Sequence, residues 1–447
     1  MGTINNFGNV LLPAGSNTID VQSLLNSAMA AAEIPLQQLQ QRQGGLQTQM
    51  STMQSIESDI TALQTAVKAL TNTGGGVNSF TATSSNSSLV SASADPTATA
   101  GTHSIVVNSL ATTSSYYTDV VPANTPITSG SFQISVGSNP AATVTVDNTD
   151  NTLSGLAAAI NGQNIGVTAS VITDANGSRL ALVSQTSGAA GNVTISNNTT
   201  SLNFHQAAAG VNASLTVDGV PISSTSNQVS GVIPGVTLNL GGAAPSTTVS
   251  LTVAPDTSSA TSAINAFVSA WNKVVNDLNS QFDVASNGSG GGPLEADTAL
   301  RGAQDQLLSA VTASVTGNNG IVNLASIGVN LNNDGTMSVD SGALANALNN
   351  NFSGVQTMLQ ANSGVATFLA TTLNQLIDPA QGSLTLDLQG MTNTSQDLTQ
   401  QINTMESQLV IQQQNLTAQY AQMETTLQEM PLLQSQITQQ LAALKTS

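Results

Sequence analysis

Apolar residues recur three and four positions apart at both ends of this chain, and two apart through much of its middle. Residues 36–70 and 395–444 are Gln-rich stretches with helical spacing; between them Ser, Thr, Asn, Gly, Ala and Val dominate. Gly8, Pro13 and Gly15 predict an irregular stretch over 1–17. A short helix capped by Asp20 is then predicted through Glu33, with Val21, Leu24, Leu25 and Met29 on its apolar face. Pro35 opens a second helix, where its missing N–H does no harm. That helix carries Leu36, Leu39, Leu46 and Met50, then Met53, Ile56, Ile60, Leu63, Val67 and Leu70 at steps of 3, 4, 3, 4 and 3. Such steps make a heptad seam. Gly44-Gly45 is a weak point inside it, and Gly74-Gly75-Gly76 ends it.

Strands are predicted where the period falls to two: 104–108, 130–136, 142–146, 167–172, 180–183, 215–217, 236–240 and 249–253. Thr152–Asn161 (TLSGLAAAIN) interrupts them with a helical spacing of Leu153, Leu156 and Ile160. After Pro255 the helical period returns in Ile264, Phe267, Val268, Trp271, Val274, Val275 and Leu278. Gly288–Gly292 reads as a flexible break. A helix over 297–315 follows, then a hairpin turning at Asn333-Asp334-Gly335, then helix across 341–361 and 363–377.

The last helix is expected from near Thr392. Its seam runs through Leu398, Ile402, Met405 and Leu409, with Gln412 in the next slot, then through Leu416, Tyr420, Met423, Leu427 and Met430, and its apolar positions continue at Ile437, Leu441 and Leu444. The two consecutive steps of four, from Gln412 through Leu416 to Tyr420, form a stutter that unwinds a left-handed supercoil. Pro431 should break or kink the helix. Each seam residue is worth ~1.5–3 kcal/mol if fully buried. Exposed, it contributes nothing to an isolated helix with few Glu–Lys pairs. Residues 46–70 with 395–415 are therefore expected to close as an antiparallel stem, with the outer turns loose until a partner covers them.

Composition narrows the function. The 447 residues are too many for one core, so several domains are expected. Apolar residues are 40% but charged residues only 7%, so hydroxyls and carboxamides must cover the surface. The six cations, Arg42, Lys68, Arg179, Lys273, Arg301 and Lys445, stand against 24 carboxylates and are scattered. They are too few to neutralise phosphates, which excludes nucleic acid and disfavours anionic membrane surfaces. The absence of cysteine excludes disulfides and thiolate chemistry. No apolar run reaches the ~18 residues of a membrane span. The opening residues lack a cleavable signal pattern, so export would use a route that reads none.

No constellation for catalysis, cofactor or metal emerges. His103 and His205 stand outside any ligand or triad spacing. Asp147 and Asp150 in DNTDN read as a capped turn. Asn332–Gly335 lacks the distal glutamate of a calcium loop, and Gly288–Gly292 lacks the Lys-Ser or Lys-Thr of a phosphate loop. Asn192, Asn212 and Asn351 begin glycosylation triplets that matter only in a eukaryotic secretory protein. The pattern points to an assembly part rather than an enzyme.

Several segments, in order, resemble one family. Ile19–Leu25 with Met29–Glu33 and Pro35-Leu36 is similar to the amino-terminal motif of the bacterial flagellar filament cap (hook-associated protein 2) family. Ala92–Ala111, Thr152–Asn161 (a hook-type insert shared with other axial flagellar proteins), Gly177–Gly188, Asp218–Leu240 and Leu324–Asp340 continue the series. Tyr420–Leu441 resembles the family's carboxy-terminal tail, with Pro431 a departure from the pattern.

The resemblance implies a ring-like homo-oligomer, expected as a pentamer, at the extracellular tip of the flagellum. It implies contact with flagellin and hook–filament junction proteins, and folding of incoming flagellin without covalent chemistry. Type III export without a cleaved signal and a cytoplasmic chaperone at the carboxy-terminal tail are also implied. A host surface receptor is a possible further partner. Another axial protein, a junction protein or flagellin, is the alternative.

The expected fold class is α+β multidomain, a terminal coiled-coil and helical-bundle stalk with two nested, mainly β head domains inserted between the helices. Segments 1–40 and 416–447 are expected as flexible, partly helical legs, disordered when free. The stalk uses 41–75 and 256–415. One β head domain uses 76–110 and 206–255, and the other 111–205. The candidate partner-binding residues are those of the two seams: Met53, Ile56, Ile60, Leu63, Val67, Leu70, Leu398, Ile402, Met405, Leu409, Leu416, Tyr420, Met423 and Leu427.

Overall fold

The computed structural model describes residues 21–122, 125–149, 151–283 and 290–445. The expectations for 1–17, Asp20, Asp150 and Gly288 lie outside them. Helix α1 (Val21–Thr71) runs straight into a β-rich middle and is met again by the last helix. The middle begins with β1 (Phe80–Ser84), β2 (Val90–Ala94), β3 (Gly101–Ser109), β4 (Thr113–Thr118), β5 (Gly130–Val136) and β6 (Ala142–Val146). Next come α2 (Leu153–Gly162), β7 (Val167–Asp174), β8 (Gly177–Ser187), β9 (Val193–Ser196) and β10 (Phe204–Ala208). It closes with β11 (Ala213–Val217), β12 (Val220–Ser224), β13 (Gln228–Ile233), β14 (Val236–Leu240) and β15 (Val249–Pro255).

A five-stranded antiparallel sheet, β1-β15-β3-β11-β12, and a three-stranded one, β13-β14-β2, enclose one apolar core that includes Ile105, Val107, Leu215, Leu238 and Leu251. Residues between β3 and β11 form a second core with sheets β10-β4-β8-β7 and β6-β5-β9. Helix α2 is capped by the Thr152 hydroxyl, which accepts from the Gly155 N–H, and buries Leu153, Leu156 and Ile160 there. Asn161 pins α2 to β7 by donating to the Ala169 carbonyl and accepting from its N–H.

The remaining elements are α3 (Thr257–Phe282), α4 (Thr298–Val311), the hairpin β16 (Val329–Leu331) and β17 (Met337–Val339), α5 (Ser341–Asn350), α6 (Phe352–Gln360), α7 (Val365–Ile377) and α8 (Ser383–Lys445). Aspartates and an asparagine start four of these helices. Asp256 accepts from the Ser258 and Ser259 amides, Asp297 from Leu300, Asp340 from Gly342 and Ala343, and Asn351 from Gly354. Helices α3 to α7, the first turns of α8 and the second half of α1 share one core around Trp271.

The hairpin is clipped onto α3. Trp271 Nε1 donates to the Gly335 carbonyl at 2.8 Å, while Asn272 donates to the Met337 carbonyl and accepts from its N–H. Gly335 turns the chain at φ +81, and a Cβ there would press on Leu308 and Val275.

Four local expectations are corrected. Helix α1 is continuous across Pro35, Gly44 and Gly45, and α8 begins at Ser383 and continues through Pro431. Proline removes one donor, but Ala31 and Leu427, whose carbonyls lose it, lie on exposed surface where water can replace it. Gly44 and Gly45 are exposed, and each weakens a helix by only ~1 kcal/mol, which packing on either side outweighs. Residues 21–40, expected as a flexible leg, are helical and packed against α8.

Seven strands escaped the period-two reading: β1, β2, β4, β9, β10, β12 and β13. Replacing Asn272 with Ala leaves both Met337 backbone groups unpaired. Urea denaturation should show a loss of about 1–3 kcal/mol with the β domains intact.

Candidate partner-binding surface

The two seams have different fates. Met53, Ile56, Ile60, Leu63, Val67 and Leu70 are no more than 1% exposed and lie in the bundle core with Phe267, Trp271 and Leu373. They offer no surface to a partner in this fold. Their neighbours are α3 and α7 rather than residues 395–415, which corrects the expected stem. Lys273 Nζ adds a surface tie from α3 to Asp59 of α1 at 2.9 Å.

Residues 395–415 pair instead with the first half of α1. Leu398, Ile402 and Leu409 are buried; Ile402 and Leu409 share a small separate core with Leu25, Met29 and Leu36. Met405, Leu416 and Tyr420 are partly buried against the same core. At the stutter the half-buried residue is Gln413, while Gln412 is exposed. One inward step of four followed by three therefore restores the seam.

Two hydrogen bonds fix the register of this antiparallel arm. Gln43 Nε2 donates to Thr399 Oγ1 at 2.8 Å, and Thr385 Oγ1 donates to Glu57 Oε1 at 3.3 Å. In both pairs the residue numbers sum to 442, which sets Val21 opposite residue 421.

Beyond residue 421, α8 continues to Lys445 with a different surface. Met423 is half-buried, and then Leu427, Met430, Leu432, Leu433, Ile437 and Leu441 are 37–67% exposed. At 1.5 Å per residue this is roughly 35 Å of helix. An apolar stripe of this kind on a helix marks an interaction face. Sequence spacing found Met423, Leu427, Met430, Ile437 and Leu441 but missed Leu432 and Leu433, which widen the stripe outside the heptad slots. It also missed Ile34, Val410 and Ile411, exposed on the outside of the arm. The only available signal there was an apolar residue in a slot where the heptad asks for a polar one.

The other candidates are internal ties. His103 Nδ1 lies 2.7 Å from Asp218 Oδ2, and His205 Nε2 lies 2.8 Å from Asp119 Oδ1. Bonds from His103 and the Ser104 amide hold the Asp218 carboxyl below the usual range. Bonds from Asn203 and His205 do the same for Asp119. Asp147 accepts from the Thr149 amide and hydroxyl, closing a turn. Asp334 does so for Thr336.

Asn192, Asn212 and Asn351 accept from the amides of Gly210, Ala189 and Gly354. Among the described residues no group of three or more His, Cys, Asp and Glu could hold a metal ion. No described helix is long and apolar enough to cross a membrane.

Comparisons with known proteins agree on one family. Residues 17–114 match the family description "Flagellar hook-associated protein 2 N-terminus", and residues 210–431 match "Flagellar hook-associated protein 2 C-terminus". The B-type flagellar hook-associated protein 2 of Pseudomonas aeruginosa is 33% identical over 89% of this chain and 90% of its own length. Flagellar hook-associated protein 2 of Escherichia coli K12 is 27% identical over 94% of this chain and 96% of that one. The crystal structure of the D1-D2-D3 domains of the flagellar cap protein FliD from Escherichia coli superposes with a TM-score of 0.64. It shares 28% identity and covers 76% of this chain and 99% of that one.

The burial contrast along α1 and α8 can be measured. Ile60→Ala should cost about 2–5 kcal/mol in chemical denaturation. Ile437→Ser, on the exposed stripe, should stay within ~0.5 kcal/mol of the parent.

Proposed function

The chain belongs to the flagellar hook-associated protein 2 family, and from that membership we propose that it caps the distal, extracellular end of a flagellar filament and promotes flagellin folding and insertion without covalent chemistry. The observation that carries the reading is the exposed apolar stripe from Leu427 to Leu441, on the part of α8 beyond its described pairing with α1. An apolar helix face bearing only Glu429 among residues 425–441 packs reversibly against another amphipathic helix. Flagellin subunits and junction proteins at the tip supply such helices in this reading.

The six α1 seam residues and Leu398, Ile402 and Leu409 then hold the stripe at a fixed distance, while Met423 and Leu427 begin the contact face. The two β units form the head, exposed beyond the filament. A ring-like homo-oligomer, with a pentamer as the working number, places several such helices around the filament axis. The same stripe offers a site for a cytoplasmic chaperone before export, by a route without a cleaved signal. The head is the part open to a host surface receptor. Membership of this family favours the cap over a junction protein or flagellin.

The test separates the stripe from the fold. Full-length protein carrying Leu427→Ser, Met430→Ser, Leu433→Ser and Ile437→Ser should melt like the parent yet fail to restore filament growth to a strain lacking its own cap. Growth at the parental rate with this variant would sink the proposal. Solution mass of the full chain beside a 41–415 truncation checks the oligomer: the full chain should form a discrete ring-sized species.

A further inference from the structure

Two carboxylates meet where α8 joins the bundle. Asp297 sits at the start of α4, and its Oδ1 accepts the Leu300 amide at 2.9 Å. Asp387 lies in the first turns of α8, and its Oδ2 is buried with no hydrogen-bond partner. Helix α4 packs on α8, and Asp297 is the charged group whose hydrogen bonding and charge act on the Asp387 carboxyl. An ionised carboxylate oxygen buried without a donor is costly, and a second carboxylate beside it raises that cost.

The surroundings offer no cation to relieve this. Arg301, the one cation on α4, donates to the Glu295 carbonyl and lies over the Phe282 ring. Asp305 on α4 is exposed to solvent. Helix α7 carries no titratable side chain. From α1, Glu57 reaches α8 through Thr385, and burial raises its carboxyl in turn. Lys273 is engaged by Asp59 and Asp277.

We propose that Asp387 and Asp297 share one proton across the α4–α8 contact in mildly acidic surroundings, clamping the root of α8, and that losing this proton toward neutral pH loosens the root while the rest of the bundle stays folded. Asp297 Oδ1 is already taken as an acceptor by the Leu300 amide, so the shared proton is placed on Asp387, which donates it toward Asp297. Burial, then hydrogen bonding and charge from Asp297, push the Asp387 carboxyl up to about 6. A raised carboxyl binds its proton more tightly folded than unfolded. Stability from this pair is therefore present below about pH 4, declines as pH rises from there through about 6, and is absent above it.

Hydrogen exchange on the full-length protein, corrected for the intrinsic pH dependence of exchange, reads this root directly. Amides of residues 387–395 should gain about threefold or more in protection between pH 7.5 and 5.0, while the core turns of α3 change little. Asp387→Asn should hold the higher protection at both pH values, and Asp397→Asn, farther along α8, should behave as the parent. Parental pH dependence in Asp387→Asn would overturn the proposal. Should that variant misfold, carboxyl carbon NMR of the unmodified chain decides. Titration of Asp387 near 6 supports the shared proton, and titration below about 4.5 refutes it.

Discussion

One helix has to satisfy two cores. The second half of α1 is surrounded by α3, α7 and the start of α8, while its first half packs, among the described residues, against α8. Because α1 is uninterrupted, the bundle fixes the direction in which the arm leaves. The antiparallel register set at Glu57–Thr385 is still in phase at Gln43–Thr399. That phase decides which residues of α8 are covered and which project. A break at Pro35 or at Gly44-Gly45 would separate the two halves and free the arm from the bundle. Both irregularities sit on the exposed side, where they leave the packed face whole.

The β units hang on the same scaffold at the opposite end. They are inserted between α1 and α3, and the five-stranded sheet brings entry and exit together by pairing β1 with β15. The junction is short. The Asp256 amide bonds to the Ser79 carbonyl, and Gln356 donates to the Val77 carbonyl and the Asn78 side chain. These bonds tie the base of the head to the turn that ends α1.

The sequence made some of this legible and hid the rest for physical reasons. The Met53–Leu70 steps announced a buried stripe, and Asn333-Asp334-Gly335 announced its hairpin, because both signals are local. Choosing the partner of each seam needed the register, which depends on two polar side-chain bonds that no apolar period encodes. Strands such as β1 (FTATS) and β2 (VSASA) alternate Thr, Ser and Ala, whose hydrophobic contrast is slight, so the period of two is faint there. The prolines misled because a local rule was applied without knowing which face of the helix was wet. For the surface past residue 421, spacing found most of the stripe. What it lacked was the exposure of Leu432 and Leu433, which lie outside the heptad slots.

Outward from the Glu57–Thr385 bond, the arm is held by apolar packing and by the carboxamide-to-hydroxyl bond of Gln43 and Thr399. Its geometry is consequently indifferent to ionic strength, since screening acts on charges and leaves neutral hydrogen bonds and buried methyl groups alone. Acidic surface groups can lose their mutual repulsion as salt rises, while the two long helices keep the same alignment. An arm built in this manner keeps its register from fresh water to brine.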